Sequence, residues 1–393
     1  MPPSIPAYVN KALLIWGRED AGLSIEQAAK KVRVKVERLK AWEDGERKPS
    51  VAQLKALGRV YRRPIAVFFL ANPLAAFRPM HDYRRLAGRE EGFESPELHY
   101  QVRRAHERRA LALELVEVLG ESALPMALRI QLTDDHEAAG RAVRDFLGVT
   151  VQQQRAWHDA REAFNEWRAA LERNGVLVFQ TVNVPVSEAR GFSISEQPFP
   201  VVAVNRKDAL YGRIFTLVHE LTHLAVERGG LCDLREGGAR SADDERVEVF
   251  CNAVAAAALM PAQAVLDHTL VRTSTGQRQA WSDEELDTLS RDFRVSSEAA
   301  LRRLLTLGRT TKAFYEHKRR EYLQAPPPDK TRVGRIARYA DALSTGGRLF
   351  AGLVLRGYYE ERITSSDVAD ALNLGLKHLG RLEQALAAAR PTV

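Results

Sequence analysis

The sequence predicts an α+β, mostly helical protein in three parts: an N-terminal bundle of short helices, a central domain with a small sheet, and a helical C-terminal domain. Three observations carry this prediction. Residues 9–61 hold four short helical segments separated by polar turns. Two runs, Val176 to Thr181 and Phe199 to Asn205, are rich in β-branched and aromatic residues and bounded by Gly or Pro, so they read as strands. Amphipathic helical stretches fill much of the remainder. At 393 residues the chain exceeds the roughly 250–300 at which one core usually stops growing. The expected domains are 1–75, 76–280 and 281–393.

A composition of 45% hydrophobic and 28% charged residues is that of a soluble globular protein, and no apolar run approaches a membrane span. The N-terminus lacks a basic segment followed by a long apolar core, and two cysteines cannot build a disulfide framework. A reducing cytoplasm with no membrane partner is expected. Residues 1–89 carry 7 Lys and 11 Arg against 8 acidic residues, a net of +10, which leaves −3 for the rest of a chain whose net charge is +7. Nucleic acid is the electrostatic partner of such a module, with a solvated charged face as the plainer alternative.

Within the N-terminal module the helices run from Val9 to Glu19, Ser24 to Val32, Val36 to Trp42 and Ser50 to Tyr61, with Ser24 as an N-cap and Pro49-Ser50 opening the fourth. Leu14, Leu23, Ala28, Ala29, Val32, Val34, Leu39, Trp42, Leu54 and Leu57 make the expected core. GLSIEQAAKKVRVKVERLKAWEDGERKPS, with its Trp42-Glu43-x-Gly45-x-x-x-Pro49 ending, resembles the XRE-type helix-turn-helix family over about sixty residues. In that family the second helix of the pair enters the major groove. Ile25 stands where the family has glutamine and Arg33 where it has the glycine of the turn. Lys35, Arg38, Lys40, Arg47 and Lys48 are the candidate phosphate contacts, whereas Val36 and Glu37 are poor base readers.

Prolines at 64, 73 and 79 punctuate the end of this module. His81-Asp82-Tyr83-Arg84 is similar to a short Asp-Phe-Arg element that follows such modules in the family named below. Ser95 caps a long helix to Gly120, with Pro96 at its first position and a stripe of Leu98, Val102, Leu111, Leu115 and Val118. His99 and His106 on it read as surface histidines. Further helices are expected from Glu137 to Leu147 and from Gln154 to Arg173, the latter burying Trp157, Phe164 and Trp167.

The densest chemistry lies in Phe215 to Ala225, FTLVHELTHLA. At about 3.6 residues per turn, His219 and His223 share a helix face and can close on one metal ion, with Glu220 beside them. This is the H-E-x-x-H arrangement, in which zinc acidifies a water and the glutamate takes its proton for attack on a peptide carbonyl. The plainer alternative is two histidines hydrogen-bonding to neighbours. A third ligand is the test. An expected helix from Glu245 to Leu259 carries Glu248, 25 residues beyond His223, and Asn252, one turn on, is placed to orient a metal ligand. Glu245 is the competing carboxylate, nearer the helix start.

GFSISEQPFPVVAVN, RIFTLVHELTHLA and EVFCNAVAAAALMP follow in the order of the ImmA/IrrE metallopeptidase family, which residues 160–265 resemble. The resemblance implies a zincin-like peptidase domain, one Zn2+ per chain held by His219, His223 and Glu248, and Glu220 as general base. Thr222 replaces the family's usual glycine and Cys251 its usual alanine. An XRE-type module before this peptidase is also the arrangement of CapP-like peptidases of bacterial anti-phage operons, which the chain resembles overall. The resemblance implies cleavage of a small helix-turn-helix repressor encoded nearby, triggered by DNA damage or phage infection, with DNA, including single-stranded DNA, as activator. The rival reading is a DNA-binding regulator whose zinc site is structural or vestigial, against which an intact Glu220 argues.

Cys232 lies nine residues after His223, between the metal-bearing helices. Its thiolate is a candidate inhibitory zinc ligand that would take the catalytic position, with an ordinary loop cysteine as the alternative. Cys251 reads as a small buried hydrophobe. Beyond Trp281, two helices flank Arg294-Val295-Ser296, Pro326 to Pro328 break the chain, and Arg332 to Ala389 forms a last helical module with Ser365 and Ser366 ahead of DVADALNL. Sensing of the activator or recognition of the substrate is expected of this third part.

Overall fold

The computed structural model describes residues 5–72, 95–226, 231–232, 242–272, 276–324 and 336–388. The chain divides into two compact units, Met1–Met80 with Gly88–His106, and His81–Ala87 with Glu107–Val393. Among the described residues no helix is long and apolar enough to cross a membrane.

The first unit is built from α1 (Lys11–Asp20), α2 (Ile25–Val32), α3 (Val36–Glu43) and α4 (Val51–Tyr61), closed by a 3-10 turn, Ile65–Phe69. Ser24 and Ser50 stand just outside α2 and α4 and cap them reciprocally with Gln27 and Gln53. Leu14, Leu23, Ala28, Ala29, Leu39, Trp42, Leu54 and Leu57 form the core, Val32 and Val34 pack at its margin, and Phe68 completes it. Arg18 grips the buried Glu43 through two hydrogen bonds of 2.8 and 3.1 Å, tying α1 to the end of α3.

Arg33 ends α2 at φ 62, ψ 46, the left-handed conformation for which glycine is the usual residue. For a side-chain-bearing residue this costs roughly 1–2 kcal/mol. Arg33→Gly is therefore expected to stabilise the first unit by about 1 kcal/mol, part of the gain being lost to the freer unfolded chain. A denaturant titration of wild type against the variant checks this.

Helix α5 (Pro96–Val118) opens as expected, with Ser95 Oγ accepting from the Leu98 N–H at 3.2 Å. Its first half belongs to the first unit, where Arg103 meets Asp20 at 2.7 Å, the same oxygen that Arg63 grips at 2.7 Å. Three readings of this helix change. Val118 is exposed at 41%, and His99 and His106 are half-buried rather than at the surface.

In the second unit, α6 (His136–Leu147) leads to α7 (Val151–Ala156) and α8 (Ala160–Arg173). The single helix expected from Gln154 to Arg173 is thus broken. Trp157 is extended, and the Asp159 carboxylate accepts from the N–H groups of Arg161 and Glu162, which starts a new helix. Trp157, Phe164 and Trp167 are buried as expected.

Strands β1 (Leu177–Thr181), β2 (Gly191–Ile194) and β3 (Val201–Asn205), helix α9 (Leu210–Ala225) and the short β4 (Leu231–Cys232) follow. The sheet order is β1-β3-β2-β4, with β1 parallel to β3, and β2 antiparallel to both β3 and β4. The sequence reading missed β2 and β4, which are four and two residues long. One sheet face carries Val178, Val202 and Val204 into a core shared with Ile214, Leu217 and Val218 of α9. On the other, Phe179 meets Phe350 edge-on at 6.0 Å.

Helix α10 (Ala242–Leu259) packs against both α6 and α9. A Cβ at Gly140 of α6 would lie 2.7 Å from Ala257 Cβ and 2.8 Å from the Ala258 nitrogen, so the two helices meet nearly backbone to backbone. This explains the alanine-rich run of α10. After it come α11 (Ala262–Leu266), α12 (Thr269–Arg272), α13 (Asp283–Phe293), α14 (Ser297–Thr306) and α15 (Lys312–Gln324). Trp281, Leu286, Phe293, Leu301, Leu304 and Tyr315 join the same core as the α9 residues.

The last described helices are α16 (Arg338–Gly346), α17 (Arg348–Tyr359), α18 (Ser365–Leu372) and α19 (Leu379–Ala387). Thr364 is the N-cap of α18. One corner recurs among the described residues. Arg33, Arg294 and Asn373 are left-handed, and two residues later Lys35, Ser296 and Gly375 start the next helical turn. The same corner therefore joins helical segments both in the first unit and beyond residue 281. Residues 81–84 and 326–328 lie outside the described residues.

Candidate metal centre

Helix α9 presents His219 and His223 one turn apart, and α10 brings Glu248 to them. The two Nε2 atoms lie 3.1 Å apart, with Glu248 Oε1 3.2 Å from His223 Nε2 and Oε2 3.6 Å from His219 Nε2. All three side chains are buried. Glu245, the competing carboxylate, is exposed. Zinc bonds to such atoms at about 2.0–2.2 Å, so neighbouring ligands of a tetrahedral ion stand about 3.3–3.5 Å apart. The observed separations lie within a few tenths of an ångström of that spacing, and the donor set suits a divalent cation.

Burial pushes the Glu248 carboxyl up, but the His219 and His223 rings beside it outweigh burial and leave the group well below the usual carboxylate range. The carboxylate is therefore held in its ligating form. Phe215 stacks on the His219 ring at 6.2 Å, and the two imidazoles meet edge-on at 4.7 Å, which limits their rotation. Thr222, buried between the histidines in sequence, donates its hydroxyl to the Val218 carbonyl at 2.9 Å.

Glu220 is fully buried beside the cluster. A Cβ at Gly191 of β2 would lie 3.1 Å from its Oε1, so the strand approaches this carboxylate through bare backbone. Gly191 was missed by the sequence reading. A glycine opening an aromatic and β-branched run, GFSI, is the signal for such an approach.

Asn252, one turn beyond Glu248, is half-buried and makes no hydrogen bond to these residues among the described ones. The neighbouring group that does meet a ligand ring is Cys251, whose buried thiol lies beside the His223 side chain. Burial pushes that thiol up. Cys232 places its backbone opposite Gly191 in β4, while its side chain lies outside the described residues.

In the first unit, Lys35 precedes α3, Arg38 and Lys40 lie on it, and Arg47 and Lys48 lie in the turn before α4. All five are exposed. Lys48 Nζ sits 3.6 Å from the centroid of the Tyr8 ring. Ile25 packs against the module core.

No curated protein matches the chain. Residues 14–68, from α1 through the 3-10 turn, match the helix-turn-helix family. Residues 171–305, from the end of α8 through α14 and including the whole metal cluster, match the IrrE N-terminal-like domain of the M78 peptidases, so the chain joins a helix-turn-helix segment to a peptidase-family domain.

Proposed function

We propose that this protein is a cytoplasmic zinc endopeptidase that cleaves a partner transcriptional repressor in response to DNA damage or phage infection, and so derepresses a stress or defence operon. The observation that carries the reading is the buried His219–His223–Glu248 cluster with Glu220 beside it, inside a peptidase-matching segment. When bound, zinc supplies Lewis-acid polarisation of the scissile carbonyl and acidification of the attacking water. Glu220 takes the water's proton and passes it to the leaving amine. His219, His223 and Glu248 hold the ion, and the buried surroundings of the site exclude bulk water.

The substrate in this reading is a small helix-turn-helix repressor encoded nearby, and DNA, single-stranded or duplex, is the activator. The exposed cations Lys35, Arg38, Lys40, Arg47 and Lys48 support phosphate contact by the first unit. We assign sensing or substrate recognition to residues 281–393. Cys232 is proposed as an inhibitory zinc ligand, and Cys232→Ser would then raise basal cleavage at unchanged zinc content.

The test is incubation of the full-length protein with the adjacent repressor, with and without single-stranded DNA. Glu220→Gln is expected to lower cleavage by about 10²–10⁴-fold while retaining zinc. Sequence-specific DNA binding with no cleavage under any condition would sink the proposal and favour a DNA-binding regulator with a structural zinc site.

A further inference from the structure

Strand β2 turns one face toward α9, and both residues on that face are chemically unusual. Strand residues alternate faces, so Gly191 and Ser193 share one. Their pairing with Val204 and Val202 makes it the face that packs with Ile214, Leu217 and Val218 of α9. At Gly191 a Cβ would come 2.5 Å from Thr216 Cγ2, 2.7 Å from the Ala203 carbonyl oxygen and 3.1 Å from Glu220 Oε1. The missing side chain makes room first for the Thr216 methyl and the Ala203 carbonyl, and next for the Glu220 carboxylate.

Ser193, the next residue on this face, is fully buried, and among the described residues its hydroxyl has no hydrogen-bond partner. A buried unpaired hydroxyl destabilises a fold, and alanine would fill the same space without that cost. Packing therefore does not require the hydroxyl.

We propose that Gly191 and Ser193 are positioning residues for Glu220: the glycine sets how closely the carboxylate approaches the strand, and the Ser193 hydroxyl donates a hydrogen bond that orients it when a ligand occupies the metal centre. This rests on the reading of Glu220 as the general base. A carboxylate seated from two sides has one productive orientation, the condition for rapid proton transfer.

The test uses zinc-loaded full-length protein titrated with acetohydroxamate, a metal chelator whose proton is taken up by a carboxylate beside the ion. Glu220→Gln, Gly191→Ala and Ser193→Ala are each expected to weaken hydroxamate binding by about tenfold or more. Zinc affinity, read by competition with a chromophoric chelator, should stay near that of wild type. Ser193→Ala should also melt no lower than wild type, whereas a structural serine would move the melt and leave the hydroxamate alone. Wild-type hydroxamate affinity in Ser193→Ala or in folded Gly191→Ala, with Glu220→Gln weakened, overturns the inference and leaves the role of Glu220 standing. Wild-type affinity in Glu220→Gln overturns both. If Gly191→Ala does not fold, Ser193→Ala decides alone.

Discussion

Glu248→Ala is expected to abolish metal binding and to destabilise the second unit even without metal. A site of this kind binds zinc with about 10–16 kcal/mol, so loss of one of three protein donors removes roughly a third, about 3–5 kcal/mol, and weakens affinity by about 10²–10⁴-fold. In the metal-free protein the carboxylate is the partner of two buried imidazoles, at 3.2 and 3.6 Å. Removing one member of a buried charged cluster costs about 3–5 kcal/mol. Metal content after gel filtration and a thermal melt in chelator read the two effects separately. Glu245→Ala, at an exposed position on the same helix, should leave both unchanged. Metal retained by Glu248→Ala would remove Glu248 from the ligand set.

Gly347→Ala should cost about 2–6 kcal/mol, the largest effect expected of any single methyl group added at the α16–α17 corner. Two terms add. The residue sits at φ 82, ψ 161, a conformation essentially reserved for glycine. A Cβ there would also press on the Glu172 carboxylate and come 2.7 Å from the Val178 carbonyl oxygen. The surroundings cannot yield easily. Glu172 Oε1 accepts the Arg348 N–H at 3.0 Å, while Arg168 donates to the Ser344 and Val178 carbonyls at 2.9 and 2.7 Å. Arg108 donates to the Thr345 carbonyl at 2.8 Å, and Gln180 to that of Ser344 at 3.0 Å. Thermal unfolding should show a midpoint lower by several degrees. Gly352→Ala in α17, where an added Cβ meets nothing within 4 Å, is the control and should be neutral or slightly stabilising.

The helix-turn-helix bundle and the candidate pairing of His219 with His223 were legible because each rests on local rules: caps at Ser24 and Ser50, and the four-residue spacing that puts two histidines on one helix face. Glu248 was legible because its helix and its distance from His223 left few carboxylates to choose from, and burial separates it from Glu245. What stayed hidden depends on contacts distant in sequence. Neither Gly191 nor Ser193 carries a local signal strong enough to reveal that β2 faces Glu220. The break at Asp159 was masked by an apolar period continuing through Trp157 and Trp167, where a cap outweighed the period. Cys251 was read for its size, and its contact with His223 follows from how α10 is rotated against α9.

The near-backbone meeting of α6 and α10 at Gly140 bears on how a metal ion would be received. With Gly140 set directly against Ala257 and Ala258, and Arg144 of α6 donating to the Ala258 carbonyl at 2.7 Å, α10 has little freedom to slide or roll, and its glutamate is fixed in place by packing two to three turns away. The receptor is thus assembled before the ion arrives, so loading spends little conformational entropy and need not wait on folding. Such a centre behaves as a rigid chelate: far-ultraviolet circular dichroism should be the same with and without metal, and exchange of one divalent ion for another should be governed by ionic size and ligand preference rather than by refolding of the protein.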